Sequence, residues 1–217
     1  MRIAAEPCGM AIKENVQVGR PRLFDENVVL DAAIGQFWVS GYTGTSIRDL
    51  AAAMGMTSAS LYNAFGDKRV LFVRALERYL DQSMRRRIGA LDQAADPMAG
   101  LKAFFVDLVA VSLADRRGCM LVNSAMEVAP FDSELRERIC AGLAEIEGGF
   151  RQTVERAQAA NRVDGALPAA EAARLLLSAV VSIRVLARAT ADRDLLEGIA
   201  RSALATLARP GEKEKLN

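Results

Sequence analysis

Apolar positions recur at helical spacing along nearly the whole chain, and no stretch shows the sustained β-branched alternation of a strand. Asp25 stands before a stripe of Val28, Val29, Ala32, Ala33, Phe37 and Trp38, and Gly41 is placed to close that helix. Thr45 or Ser46 then caps a short helix through Met54, with Ile47, Leu50, Ala51 and Met54 on one face. Gly55 breaks it, and Thr57 opens a second short helix through Phe65. Gly66 ends that one, and Asp67 caps a long helix with Leu71, Phe72, Ala75, Leu76, Tyr79 and Leu80 inward.

A second block starts at Asp96-Pro97, where proline suits a first helical turn. Its inner stripe is Leu101, Phe104, Phe105, Leu108 and Ser112. A turn at Arg116-Arg117-Gly118 leads to a short helix, Cys119 to Ala129, stopped at Pro130. Asp132 begins a long helix carrying Leu135, Ile139, Leu143, Ile146, Phe150, Val154 and Ala157. After a loop at Val163 to Leu167 come two apolar helices, 168 to 190 and 192 to 208. The expected fold is all-α, with about nine helices and no sheet.

Composition narrows the function. The 217 residues are 51% hydrophobic and 25% charged, close to globular averages, which excludes disorder and low complexity. There is no histidine. That removes Ser-His and Cys-His nucleophile pairs, His-ligated metals and imidazole acid–base chemistry. With no Gly-rich phosphate loop, paired catalytic carboxylates or metal-ligand cluster either, the expectation is a non-enzyme without cofactor or metal. Cys8, Cys119 and Cys140 are odd in number and widely spaced, which fits a reducing cytoplasm better than a disulfide framework. Residues 1–18 lack a continuous apolar core and read as a loose arm rather than a signal peptide, and 210–217 as a polar tail. The apolar run from Leu175 stops at Arg184, too short to span a bilayer, so no membrane partner is expected.

The informative segment is Thr45-Ser-Ile-Arg-Asp-Leu-Ala-Ala-Ala-Met-Gly-Met-Thr-Ser-Ala-Ser-Leu-Tyr-Asn-Ala-Phe65. Two short helices meet at a Gly-containing turn, the helix-turn-helix plan whose second helix enters the DNA major groove. Ala51 is small enough for close helix approach, and Gly55 permits the turn's backbone angle. Ile47, Leu50 and Leu61 fill the space between the helices. Ser58, Ser60 and Asn63 are left for solvent or DNA.

Gly19-Arg-Pro-Arg22, Phe37 with Gly41-Tyr42, Thr45-Ser46-Ile47, Leu61-Tyr62, Phe65 and Lys68 stand in an order and spacing that resembles the TetR/AcrR-type bacterial transcriptional regulators. The resemblance covers residues 19 to about 72, and Arg117-Gly-Cys-Met-Leu-Val-Asn-Ser-Ala-Met-Glu127 is similar to a segment of one branch of that family. It implies a homodimeric regulator, most simply a repressor, that binds a palindromic operator in double-stranded DNA and is released by a small-molecule effector. The implied organisation is a DNA-binding domain over 19–66, a connecting helix over 67–88, and a ligand-binding and dimerisation domain over 89–209. Tyr62 and Lys68 match the family's phosphate contacts, Thr45 and Ser46 its backbone-facing positions, and Arg48 a base or phosphate contact. Thr57, Ser58, Ala59 and Ser60 match its base-facing positions, with Asn63 beside them. Arg20 and Arg22 lie on an arm suited to the minor groove. One departure is Ala64, where the family often carries His or a bulkier polar residue.

The second block supports weaker expectations. Phe104, Phe105, Leu108, Met120, Met126 and Phe150 would line an effector cavity, although core packing produces the same spacing. Asn123 and Glu127 share one short helix and could face that cavity. Glu127 could equally pair with Arg136 or Arg138. Cys119, at a helix start beside Arg116 and Arg117, reads as a buried thiol near the pocket, or alternatively as an electrophile or oxidant sensor. By the resemblance, the last two helices form the dimer interface, through Leu176, Val180, Ile183, Leu195, Ile199 and Leu204. Arg85-Arg86-Arg87 reads as a solvated face or a domain-contact network rather than a DNA patch. A helical enzyme or lipid-type carrier without a DNA role is the remaining reading from another class.

Net charge is +1, and residues 19–70 are balanced, with Arg20, Arg22, Arg48, Lys68 and Arg69 against Asp25, Glu26, Asp31, Asp49 and Asp67. A DNA partner must therefore be met by the placement of a few cations and by helix N-termini, not by bulk charge.

Overall fold

The computed structural model describes residues 24–208, and the expected arm with Arg20 and Arg22 and the expected tail lie outside them. Among the described residues the chain is all-α, with α1 (Glu26–Ser40), α2 (Ile47–Ala53), α3 (Ser58–Phe65), α4 (Lys68–Leu80), a π-helical turn (Asp81–Arg85) and α5 (Arg86–Gln93). Then follow α6 (Pro97–Ala114), α7 (Met120–Glu127), α8 (Ser133–Ala159), α9 (Ala169–Ala189) and α10 (Arg193–Ala205). The segments α4, π turn and α5 are contiguous and form one rod, which leaves nine separate helices, as the periodicity predicts.

The expected caps close as hydrogen bonds. Asp25 accepts from Asn27 N at 2.8 Å, and Asp67 from Val70 N at 2.9 Å. Asp96 and Asp132 do the same for α6 and α8. Ser46, not Thr45, caps α2, in a reciprocal box where Asp49 N donates to Ser46 Oγ and Ser46 N to Asp49 Oδ2. The serine hydrogen bonds also hold the Asp49 carboxyl below its ordinary pKa.

Helices α1 and α4 pack along each other, and α2 and α3 sit across them. Phe37, Leu50, Leu61, Phe65, Leu71 and Phe72 are buried there, which ties both short helices to α4. The rod then passes into the second half, where α8 lies along α9, α9 along α10, and α6 against α5, α9 and α10. Helix α6 is long and apolar enough to cross a bilayer by length and composition alone, but here Leu101, Phe104, Phe105, Leu108 and Val109 are buried against its neighbours. Phe104 meets Phe150 edge-on at 5.1 Å, and Phe105 stacks on Phe150 at 6.3 Å.

Three boundaries differ from the sequence reading. The rod continues to Gln93 rather than ending near 88, α7 stops at Glu127, and α10 stops at Ala205. Arg85 is engaged by Glu77, Asp81 and Glu145, and Arg87 by Asp107, so this basic run is a contact network joining the rod to α6 and α8.

The dimer positions need correcting by helix phase. Leu176, Val180, Ile183 and Leu204 are almost fully buried within their own chain. The exposed face of α9 and α10 carries Leu175, Ser178 and Ser182 opposite Leu195, Ile199 and Ser202. Of the six expected residues, only Leu195 and Ile199 lie on that face. Helix α9 is apolar on two faces, and the face with Leu176, Val180 and Ile183 is the one turned inward.

Phe150→Ala should destabilise the protein by about 3–5 kcal/mol, because it removes the ring shared by Phe104 and Phe105. Urea unfolding checks this, and an unchanged midpoint would contradict it.

Candidate nucleic-acid interface

Helix α2 ends at Ala53 with Met54 as its cap, and Met56 N donates to Ala51 O at 2.8 Å across the turn. Gly55 adopts φ +63°, the left-handed conformation that costs L side chains energy and glycine little. Thr57 then caps α3 by accepting from Ser60 N at 3.1 Å. Its hydroxyl also donates to Ser60 Oγ at 2.9 Å, which orients the first turn of α3. Leu61 and Phe65 point inward from α3, while Thr57, Ser58, Ala59, Ser60, Tyr62 and Asn63 are exposed. Ser46 and Arg48 are exposed on the adjoining end of α2. Helix α3 carries no charged residue. Its exposed surface is hydroxyls, an amide, one methyl and a phenol, a set suited to base edges and phosphate oxygens.

Two expected members are placed differently. Thr45 is 1% exposed, and its Oγ1 donates to Gly41 O at 2.6 Å, so it braces the α1–α2 turn and its side chain cannot reach a ligand. Lys68 is half-buried, with Nζ 4.4 Å from the centroid of the Tyr42 ring. Burial pushes its ammonium pKa down, and the charge of Glu127 works in the opposite direction. Tyr42 itself is partly buried and packs edge-on to Phe72 of the core at 4.9 Å.

Glu127 is the residue whose role the sequence reading missed. It borders a cleft between α1 and α7, and among the described residues it forms no ion pair with Arg138 or with Arg136, whose Nη1 donates to Ala129 O instead. From the end of α7 its carboxylate accepts Tyr42 N at 3.1 Å and Thr43 N at 2.8 Å, one oxygen each. Both donors belong to the turn between α1 and α2. Gly41 has φ +73°, and a Cβ there would stand 2.5 Å from Glu127 Oε2. The second half of the chain thereby grips the turn that leads into the two short helices. Arg69 adds a further link, to Asp132 at 2.9 Å and to Glu134.

The residues expected around one effector cavity do not share one. Phe150 is fully buried among rings. Phe104, Phe105 and Leu108 border three different cavities. Met120, Asn123, Met126 and Glu127 line a cleft of about 350 Å³ between α1 and α7. Met126 is 57% exposed there, and Asn123 Nδ2 is committed to Arg117 O at 3.0 Å. The aromatic spacing served core packing, the bland alternative. Cys119 is 2% exposed and lies beside the buried Tyr79, a setting unlike the partially exposed thiolate a sensor needs.

Glu127→Ala should raise amide hydrogen exchange at Tyr42 and Thr43 by about 10–100-fold, since hydrogen bonds to a charged acceptor contribute about 1.5–3 kcal/mol. Unchanged protection at both amides would contradict the clasp.

Comparison with known proteins agrees with this geometry. The profile of bacterial regulatory proteins of the tetR family matches residues 29–75, and that of tetracyclin repressor-like C-terminal domains matches residues 97–203. An uncharacterized HTH-type transcriptional regulator, YezE of Bacillus subtilis strain 168, is 32% identical over 183 residues, 83% of this chain and 94% of its own. The HTH-type transcriptional repressor ComR of Escherichia coli K12 is 26% identical over 189 residues, covering 86% and 90% of the two chains. Among solved structures, a cysteine mutant of the TetR family regulator CifR, complexed with 26-bp double-strand operator DNA, aligns with TM-score 0.79 at 32% identity. That alignment covers 87% of this chain and all of the other.

Proposed function

Since the chain belongs to the TetR family of bacterial transcriptional regulators, we propose that it is a cytoplasmic repressor that binds a palindromic operator as a homodimer and leaves it when a small molecule binds the second half. The observation that carries this reading is the uncharged, exposed first turn of α3, braced by Thr57 and backed by Leu61 and Phe65. Ser58, Ala59 and Ser60 read base edges, with Asn63 at the margin. Tyr62, Ser46 and Arg48 hold phosphates, and Lys68 adds a cation at the N-terminus of α4. The operator complex of CifR supports this docking mode.

In a dimer of this kind the two recognition helices enter successive major grooves about 34 Å apart. The exposed α9–α10 face, with Leu175, Leu195 and Ile199, supplies the contact with the second copy. An effector that prefers a different spacing of the two heads shifts the population away from DNA by its differential affinity. The DNA-binding unit spans 24–66 of the described residues, and the rod of α4 and α5 carries any displacement to it.

Selection from a random duplex pool with the full chain should enrich an inverted repeat, and a pool with no enriched sequence would overturn the proposal. On the selected site, Tyr62→Phe and Arg48→Ala should weaken binding to all sequences alike. Lys68→Ala should lower the salt slope by about one phosphate's worth. Ser58→Ala or Ser60→Ala should instead relax base preference at one position per half-site, worth about 1–3 kcal/mol. Identical selected sequences from these serine variants and the parent would contradict their role.

A further inference from the structure

Between α1, the π turn, α6 and α9 lies a cavity of about 240 Å³ that the DNA-reading face does not use. That is roughly eight times the liquid volume of one water, room for a small organic molecule. Ile34, Met84, Leu108 and the Trp38 ring give it apolar walls. Two polar groups on its lining lack a natural counterpart. Trp38 Nε1 is buried with no hydrogen-bond acceptor. Arg184, 5% exposed, donates to Ser112 Oγ at 3.0 Å and to Gly118 O, both neutral, and has no ion pair among the described residues.

A guanidinium carries five N–H donors, so Arg184 retains donors beyond those two bonds. Asp115, the carboxylate on the same lining, feels the charge of Arg184 but already accepts from Arg117 through both oxygens, at 2.9 Å and 2.6 Å. Arg86 and Arg87 add two further cations to the lining, of which Arg87 is paired with Asp107. The free hydrogen-bonding capacity of Trp38 and Arg184 is therefore donor capacity, one neutral and one charged. Leaving a buried indole donor without an acceptor and a buried guanidinium without a direct ion pair is costly, and one ligand carboxylate would answer both. The π turn helps to shape the space, because Ser83 and Met84 within it line the cavity.

We propose that this cavity is the effector site, and that it takes a small aromatic or branched aliphatic carboxylate held by Trp38 and Arg184; this rests on the ligand-responsive reading above. Trp38 stands on α1, in the DNA-binding half, whereas Arg184 stands on α9, in the other half. The bound carboxylate bridges the two. Trp38 lies three residues before Gly41, beside the turn that Glu127 holds, so occupancy acts within one helical turn of the clasp.

Trp38 is the one tryptophan in the chain, so its emission reports the site directly. Full-length protein is titrated with benzoate, phenylacetate and isovalerate, and with the amide of each. At least one acid should give a saturable change, with its amide about tenfold weaker or worse, and with operator affinity shifted several-fold at saturation. Arg184→Gln should weaken the acid about tenfold. Should that variant fail to fold, Trp38→Phe followed by calorimetry keeps the apolar wall, removes the donor, and should weaken binding about fivefold. A response to none of the acids, equal binding of the amides, unaltered affinity in the folded variants, or binding without effect on the operator overturns the proposal. Operator binding by the same preparation separates the two readings. DNA binding without any acid response sinks the carboxylate site alone, whereas acid binding without DNA binding sinks the regulator reading.

Discussion

The Glu127 carboxylate, accepting the backbone N–H groups of Tyr42 and Thr43 across 85 and 84 residues of sequence, is the contact on which the arrangement of the two halves depends. A turn exposes backbone donors that need partners, and here both are satisfied from the far domain rather than by water. Because the acceptor is charged and bidentate, it fixes direction as well as distance. Gly41 is needed for the same reason, since any side chain there would collide with the carboxylate. Thr45 locks the turn from within, and Tyr42 presents its ring to Phe72 on one side and Lys68 on another.

From that turn the constraint spreads in both directions. Ser46 starts α2 immediately after it, and Leu50 and Leu61 seat α3 on α4. The exposed hydroxyls of α3 are thus presented on a helix seated by Leu61 and Phe65 and capped by Thr57. In the other direction, the rod of α4 and α5 is pinned by Arg85 and Arg87 to α8 and α6. The two halves thus meet at the rod, at the clasp and where the Arg117 guanidinium lies over the Trp38 ring at 4.1 Å, with the Trp38–Arg184 cavity between α1 and α9 nearby. A change at the cavity need only favour one of two arrangements of α1 to matter at the DNA.

How much of this was legible in the sequence follows from the range of each interaction. Caps at Asp25, Thr57, Asp67, Asp96 and Asp132 act over two or three residues, so residue type and position disclose them. The exposed face of α3 was equally legible, because buried Leu61 and Phe65 set the helix phase. Glu127 was not, since its partners are backbone groups and carry no side-chain signature. Arg184 read as the end of an apolar run, yet it is buried. Leu176, Val180 and Ile183 looked suited to a partner surface because α9 has two apolar faces and sequence alone does not rank them. The π turn hides within a continuous apolar rhythm, and only the backbone reveals it.

If Glu127 holds the DNA-reading heads at a defined position relative to the rest of the dimer, the distance between the heads is well defined only while its two hydrogen bonds are intact. Spin labels at Ala53→Cys, an exposed site at the end of α2, placed in a background lacking Cys8 and Cys140, report the distance between the two heads. The account predicts one narrow distance distribution in the parent and a clearly broader one when Glu127→Ala is added. Superimposable distributions would show that the clasp does not position the heads, and would contradict the account.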